Sequence, residues 1–130
     1  MSKKKILVVD DEAEFVRMMK TRLEANDYEV VTASDGKEAF QRIEEEKPDA
    51  VVLDIMMPGW DGLSVLKRIR RRYKTMPVFI LTAFPDADRF ETAKRLNASG
   101  FIAKTADLKT EIANITSVLR ISEKYGVRSK

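Results

Sequence analysis

Five polar side chains stand where short apolar runs end, and together they could hold a divalent cation and move a phosphoryl group. Asp10 and Asp11 follow the run ILVV, and Asp54 follows VVL. Thr82 closes VFIL, and Lys104 follows GFIA. Carboxylate oxygens suit a hard cation such as Mg²⁺, an ammonium neutralises phosphoryl charge, and a carboxylate can act as a nucleophile. These residue types together indicate a phosphoryl-transfer site with Asp54 as the nucleophile.

Each of these residues also has an ordinary structural interpretation. Asp10 and Asp11 could cap a helix, because an aspartate before a helical segment accepts hydrogen bonds from its free N–H groups. Asp54 could begin a turn, Thr82 is a common strand residue, and Lys104 could be an exposed lysine. Their joint placement at strand ends favours a site, where crowded carboxylates would need Lys104 and a metal ion to offset their charge.

The segments that position these residues alternate between short apolar strands and amphipathic helices. Predicted strands cover 5–10, 28–33, 49–54, 77–83 and 100–104, and predicted helices cover 12–26, 36–47, 62–74, 86–97 and 107–125. Strict alternation predicts an α/β fold: a flavodoxin-like (βα)5 doubly wound parallel sheet with strand order 2-1-3-4-5. In this order the first and third strands are neighbours, so Asp10, Asp11 and Asp54 are expected to lie close together at the carboxyl edge.

Length and composition predict one cytoplasmic domain and exclude several kinds of chemistry. The 130 residues suit a single domain over 1–130, with a core at about 4–124 and a short tail at 125–130. The chain contains no cysteine and no histidine, which excludes disulfides, thiol catalysis and Ser-His catalysis on this chain. No apolar run approaches the roughly 20 residues that span a bilayer. The net charge is +3, and the basic run at 67–74 is interpreted as a solvated helix end, with nucleic acid binding as the less favoured alternative.

Four motifs together resemble the receiver domain of two-component response regulators, and the chain is similar to chemotaxis-type single-domain regulators. The motifs are ILVVDDE, DAVVLDIMMPGWDG, PVFILTA and GFIAK, and the resemblance extends from residue 4 to about residue 124. The resemblance implies that Asp54 accepts a phosphoryl group from a phosphohistidine on a sensor histidine kinase or a phosphotransfer protein. It also implies that the domain catalyses only its own phosphorylation and dephosphorylation.

The resemblance assigns a role to each matching position. Asp11, Asp54 and the backbone carbonyl of Met56 would bind Mg²⁺, or Mn²⁺ in its place, and Asp10 would act mainly through a bound water. Lys104, Thr82 and the N–H of Ala83 would hold phosphoryl oxygens. Thr82 and Phe101 would form the switch that links phosphorylation to the surface of the fourth helix, fifth strand and fifth helix. That surface, at about residues 86–121, would bind an effector or a second copy of the chain, with no role for a membrane or nucleic acid.

The sequence departs from the family pattern at a few positions near the site. Thr105 stands where the family usually has a proline that follows the lysine through a cis peptide bond. Phe101 lacks the hydroxyl of the commoner tyrosine. The resemblance implies that Met56 and Phe84 flank the path of the hydrolytic water, and their apolar side chains then predict a long-lived phosphoryl group on Asp54.

Helical spacing also bears on the expected output surface. Phe90, Ala93 and Leu96 recur at helical spacing in the fourth helix, as residues of a core stripe do. Val118 and Ile121 fall off the core stripe of the last helix and could form an apolar dimer or effector surface. Additional core contacts are an equally good explanation for these two residues.

Two other functions are compatible with the fold. One is a protein-interaction module that works without phosphorylation. The other is a magnesium-dependent aspartyl phosphohydrolase of the haloacid-dehalogenase type. That class needs a second aspartate two residues after the nucleophile, where this chain has Met56, so the phosphohydrolase is disfavoured.

Overall fold

Five parallel strands form a central sheet with five helices around it in the computed structural model, which describes residues 3–57, 60–83, 87–104 and 108–124. The strands are β1 (Lys5–Val9), β2 (Glu29–Ala33), β3 (Ala50–Asp54), β4 (Val78–Thr82) and β5 (Gly100–Ala103). The helices are α1 (Ala13–Ala25), α2 (Gly36–Glu46), α3 (Gly62–Arg72), α4 (Ala87–Arg95) and α5 (Leu108–Lys124). The strand order β2-β1-β3-β4-β5 confirms the predicted topology.

The register of the sheet brings the ends of the central strands to one edge. Val9, the last residue of β1, lies opposite Leu53 of β3. Asp54, the last residue of β3, lies opposite Leu81 of β4. Parallel strands present their carboxyl ends on the same edge, so the polar residues that follow β1 and β3 meet there.

Both faces of the sheet are buried, which explains why its strands are continuous apolar runs. Leu7 and Val9 of β1 face one layer of the core, and Ile6 and Val8 face the other. The first layer is completed by α2, α3 and α4 through residues such as Ile43, Leu66, Ile69 and Ala93. The second is completed by α1 and α5 through Met19, Leu23, Ile112 and Ile115. The two layers fix the strands and so fix the edge where the polar residues lie.

A short hairpin follows β3 that the sequence patterns do not predict. Met56–Met57 and Trp60–Asp61 pair in an antiparallel arrangement. The hairpin returns the chain to β3, where Gly62 donates a backbone hydrogen bond to the Ile55 carbonyl at 3.3 Å. A Cβ atom at Gly62 would lie 2.2 Å from the Cα atom of Ile55. Only glycine fits at the start of α3 without displacing the end of β3.

The Arg70 side chain ties the carboxyl ends of α3 and α4 together. Its Nε and Nη2 atoms donate to the carbonyls of Leu96 and Asn97, at 3.1 and 2.7 Å. Its Nη1 atom donates to the carbonyls of Tyr73 and Met76, at 3.0 and 2.7 Å. Helix ends leave carbonyls without intrahelical partners, and one guanidinium satisfies several of them here.

Other cations of the basic run at 67–74 also have structural partners. The Arg68 guanidinium lies 4.3 Å from the centroid of the Phe40 ring, and Arg72 forms an ion pair of 3.0 Å with Glu44. Both contacts join α3 to α2. The sequence predicts a solvated helix end, and these contacts add that part of the run also packs against α2.

Candidate functional site

Three carboxylates and one ammonium converge at the carboxyl edge of the sheet. Asp10 and Asp54 are each only 2 % exposed. One oxygen from each of Asp10, Glu12 and Asp54 lies within 4.8 Å of the others. The Nζ atom of Lys104 lies 2.7 Å from Asp10 Oδ2 and 3.1 Å from Asp54 Oδ2, and it also pairs with Glu12. The structure therefore brings together Asp10, Asp54 and Lys104, as the sequence predicts.

Backbone turns after β1 and β3 hold the two buried aspartates. Asp54 Oδ1 accepts a hydrogen bond of 2.8 Å from the N–H of Met56, and Asp10 Oδ1 accepts one of 3.0 Å from the N–H of Glu12. Both bonds reach two residues along the chain, as in turns that aspartate side chains stabilise. The N-cap residue of α1 is Glu12, so the Asp10 carboxylate supports a turn and does not cap the helix.

The crowding of charge at this site perturbs proton affinities. Burial raises the pKa of Asp10, and the nearby Asp54 carboxylate adds to this effect, although Lys104 and the Glu12 N–H oppose it. Burial lowers the pKa of Lys104, but hydrogen bonds to Asp10, Glu12 and Asp54 outweigh burial and raise that pKa overall. With three carboxylates and one ammonium, the cluster attracts a further cation.

Asp11 and Glu12 differ from their expected arrangement. Asp11 is exposed and is not among the three carboxylates of the cluster, while Glu12 is. The metal-ligand role of Asp11 stays a prediction. Sequence reasoning assigned no role to Glu12, and an acidic residue directly after Asp10-Asp11 was the only available signal for it.

Thr82 and Phe101, the expected switch residues, line one cavity of about 260 Å³ beside Ile55 and Ile80. The carbonyl of Thr82 also accepts a 2.9 Å hydrogen bond from the N–H of Lys104, which joins the ends of β4 and β5. Ala83 follows Thr82 and is half-buried. Thr82 and Phe101 thus share one space, which is the arrangement that a coupling between them requires.

The surface beside Phe101 differs in part from its predicted pattern. Phe90 is 47 % exposed, although its spacing with the buried Ala93 is that of a core stripe. The Phe90 ring stacks on Phe101 with 4.1 Å between ring centroids. Val118 is half-buried against the core layer of α1 and α5, which supports the core-contact explanation. The side chain of Ile121 lies outside the described residues, as do Phe84 and Thr105.

Comparison with known proteins decides the family. Residues 6–116 match the response regulator receiver domain family. This chain belongs to that family. As a receiver domain, it is part of two-component signal transduction.

Relatives of this receiver domain include transcriptional regulators. It is 40 % identical over 120 residues to the alkaline phosphatase synthesis transcriptional regulatory protein PhoP of Bacillus subtilis (strain 168), and the match spans 92 % of this chain and 50 % of PhoP. It is 46 % identical over 123 residues to the probable transcriptional regulator ycf27 of Cyanophora paradoxa, and the match spans 94 % of this chain and 51 % of ycf27. The receiver domain thus spans about half the length of these relatives.

Solved structures share its fold. The CheY-like receiver domain protein from Methanospirillum hungatei JF-1 superposes with a TM-score of 0.91 at 26 % identity, over 95 % of this chain and 99 % of that one. The BeF3-activated N-terminal receiver domain of Klebsiella pneumoniae RstA superposes with a TM-score of 0.85 at 32 % identity, over 90 % and 99 % of the two chains. Among the described residues of this receiver domain, no helix is long and apolar enough to span a membrane.

The acidic cluster of this receiver domain fits a divalent cation. Asp10 Oδ2 is fully buried and lies 2.7 Å from the Lys104 ammonium, which also pairs with Glu12 and Asp54. Three carboxylates that share one ammonium leave net negative charge beside two buried aspartates, which is costly, and a metal ion would offset it. Receiver domains generally bind Mg²⁺, and an all-oxygen ligand set is the one that Mg²⁺ prefers.

We expect Mg²⁺ to stabilise this receiver domain against unfolding, because it would bind the folded acidic cluster and offset its charge. Above the dissociation constant, each tenfold increase in Mg²⁺ should add about 1.4 kcal/mol to the free energy of unfolding. Thermal melts over a Mg²⁺ series measure this effect. Asp10→Asn should remove most of it, because it replaces a buried carboxylate of the cluster.

A matched control for this experiment is Asp27→Asn, since Asp27 is exposed and has a φ of 68°, a conformation that asparagine also adopts readily. The control should keep the full response to Mg²⁺. An equal Mg²⁺ response in Asp10→Asn and in the wild type would show that the ion does not bind at the acidic cluster.

Proposed function

We propose that this receiver domain accepts a phosphoryl group on Asp54 from a phosphohistidine of a sensor histidine kinase or a phosphotransfer protein. The observation that carries the proposal is the buried Asp54 carboxylate, which lies 3.1 Å from the Lys104 ammonium at the carboxyl end of the sheet. A buried carboxylate beside a cation, in an acidic cluster that attracts a metal ion, has the charges that phosphoryl transfer to a carboxylate requires. The absence of histidine from the chain is consistent with an imidazole donor on the partner.

In this proposal, an Asp54 carboxylate oxygen attacks phosphorus as the bond between phosphorus and the donor imidazole nitrogen breaks. The electron pair of that bond stays on the imidazole. The Lys104 ammonium pairs first with the Asp54 carboxylate. It then pairs with the phosphoryl oxygens, which carry the negative charge after transfer. Thr82, through its hydroxyl, and Ala83, through its N–H, hold the remaining phosphoryl oxygens.

The metal ion would be held by Asp10, Asp11, Asp54 and the carbonyl of Met56, with Mn²⁺ as a substitute for Mg²⁺. When bound, it would neutralise negative charge on the transferring group. The Asp54 and Asp10 turns described above fix these two carboxylates without taking both of their oxygens. The role of Met56 is supported by its position at the end of the turn that starts at Asp54 and that the Met56 N–H closes.

The output of phosphorylation is proposed to pass through Thr82 and Phe101 to the surface formed by α4, β5 and α5. Stacking of Phe90 on Phe101 supports this route, because it joins β5 to an exposed side chain of α4. A downstream effector, either a separate protein or a fused domain, or a second copy of the chain would bind this surface. The setting proposed for the protein is the cytoplasm, where histidine kinases deliver phosphoryl groups, with no role for this domain in membrane or nucleic acid binding.

Incubation with acetyl phosphate tests the proposal without the unidentified kinase. Intact-mass spectrometry should detect one added phosphoryl group in the presence of Mg²⁺ and none in the presence of EDTA. Reductive trapping with borohydride and peptide mapping should then place the modification at Asp54. Failure to add a phosphoryl group at any Mg²⁺ concentration would support the phosphorylation-independent interaction module instead.

A further inference from the structure

Glu12 differs from the other two carboxylates of the cluster in its exposure to solvent. Its side chain is 62 % exposed, whereas those of Asp10 and Asp54 are 0 % and 3 % exposed. All three carboxylates pair with the same Lys104 ammonium, whose side chain is only 9 % exposed. Glu12 is therefore the one partner of Lys104 in this cluster that can leave it for water at little cost.

Glu12 and a neighbouring aromatic ring contact Lys104 from the start of α1. Glu12 is the N-cap residue of α1, and Phe15 lies one turn further along this helix. The Lys104 Nζ atom lies 5.0 Å from the centroid of the Phe15 ring, within the range of a cation–π interaction. The ammonium is thus shared between the buried aspartates of the sheet edge and two side chains at the start of α1.

We infer that Glu12 is a positioning residue that acts through Lys104: it shares the ammonium with the buried aspartates and so weakens the pairing of Lys104 with each of them. This inference rests on the proposed function, because it assigns Glu12 a part in readying the Asp54 site. The contact would have two opposite consequences. It leaves Asp10 and Asp54 more open to a metal ion, and it must break before Lys104 can bind the incoming phosphoryl oxygens.

Loss of this contact therefore has a distinctive signature. Without Glu12 to share the ammonium, Lys104 would pair more strongly with Asp10 and Asp54 and compete better with Mg²⁺ for them, so the Mg²⁺ concentration for half-maximal stabilisation should rise. Once Mg²⁺ is saturating, transfer of a phosphoryl group to Asp54 (loading) should be faster, because no contact between Lys104 and Glu12 has to break. An ion pair with an exposed carboxylate such as Glu12 is expected to change an equilibrium by about fivefold at most, so each effect is expected to be about two- to fivefold.

Two substitutions separate the effect of the Glu12–Lys104 contact from the effect of the negative charge on Glu12. Glu12→Gln removes the negative charge, and Glu12→Asp keeps the charge but shortens the side chain by one methylene, which withdraws it from Lys104. We expect both variants to raise the half-maximal Mg²⁺ concentration in thermal melts and to raise the rate of loading from acetyl phosphate at saturating Mg²⁺. Glu14→Gln is the matched control, since Glu14 is exposed in the first turn of α1 and lies outside the cluster.

The results that would overturn the role of Glu12 differ from the result that would overturn the proposed function. If Glu12→Asp behaves like the wild type while Glu12→Gln does not, local charge is responsible and the positioning role is overturned. Wild-type behaviour of both variants also overturns it. If no protein is loaded, the proposed function fails, but the Mg²⁺ dependence of the melting temperature still decides the role of Glu12.

Discussion

Asp54→Asn is expected to abolish the Mg²⁺-dependent gain of a phosphoryl group from acetyl phosphate, with a loss of more than about a hundredfold in rate, as follows the removal of a nucleophile. The amide of asparagine matches the carboxylate in shape but is not a nucleophile of comparable strength. The fold should be retained, because the variant removes one of two buried carboxylates that share a single lysine. We therefore expect its melting temperature without Mg²⁺ to equal or exceed that of the wild type.

The control for this variant is Asp61→Asn. Asp61 is exposed, and its carboxylate caps α3 by accepting a 3.0 Å hydrogen bond from the N–H of Leu63. Asparagine caps a helix about as well as aspartate does, so this variant should fold and gain a phosphoryl group normally. Mass spectrometry of both variants after the same incubation compares how much of each protein has gained a phosphoryl group. Wild-type loading of Asp54→Asn would show that the phosphoryl group goes to another residue.

The second large effect is expected from Gly62→Ala, which should destabilise the fold by about 3 kcal/mol or more, as severe overpacking does. A Cβ atom there would lie 2.2 Å from the Cα atom of Ile55 and 2.5 Å from the carbonyl oxygen of Asp54. Both are backbone atoms, so relief requires movement of α3 or of the end of β3. Because Asp54 ends β3, we expect loading from acetyl phosphate to fall as well.

Gly100→Ala offers a graded comparison for Gly62→Ala. Its Cβ atom would meet the Phe79 side chain at 3.0 Å, and a ring can shift where a backbone cannot. We expect a loss of about 1–2 kcal/mol for this variant. Urea denaturation measures the loss of stability in both variants. The shift of the transition midpoint reports that loss when the dependence of the free energy of unfolding on urea concentration is unchanged. A Gly62→Ala variant within about 1 kcal/mol of the wild type would contradict the close approach between α3 and β3.

The fold was predictable because its signals are local and repeated. Each strand is a short apolar run and each helix has an apolar face, and their alternation leaves few topologies to consider. Lys104 stands at the same edge of the sheet, but one strand lies between its strand and that of Asp54. The meeting of Asp10 and Asp54 followed from topology alone, since both stand at the ends of neighbouring strands. The same reasoning did not require any knowledge of side-chain conformation.

Features that depend on side-chain reach or on very short segments were not predictable. The contact between Glu12 and Lys104 joins two long side chains separated by 92 positions in sequence, and it depends on which conformations they adopt. The hairpin after β3 has only two residues in each strand, too few for a period to be recognised. Phe90 keeps the helical spacing of a core residue but is half exposed, because spacing fixes a direction around the helix and not the depth of the neighbouring surface.

The Arg70 contacts give α4 a pivot. The guanidinium binds the carbonyls of Leu96 and Asn97 directly after α4. If this helix tilts, that end should therefore stay in place while the other end moves. Nine residues of helix extend about 13 Å, so a tilt of roughly 10° would move the other end, at Ala87, by about 2 Å. In such a tilt the displacement would be greatest at Ala87, the end of α4 that follows Thr82 in the chain, so a small change at the sheet edge would move the surface there the most.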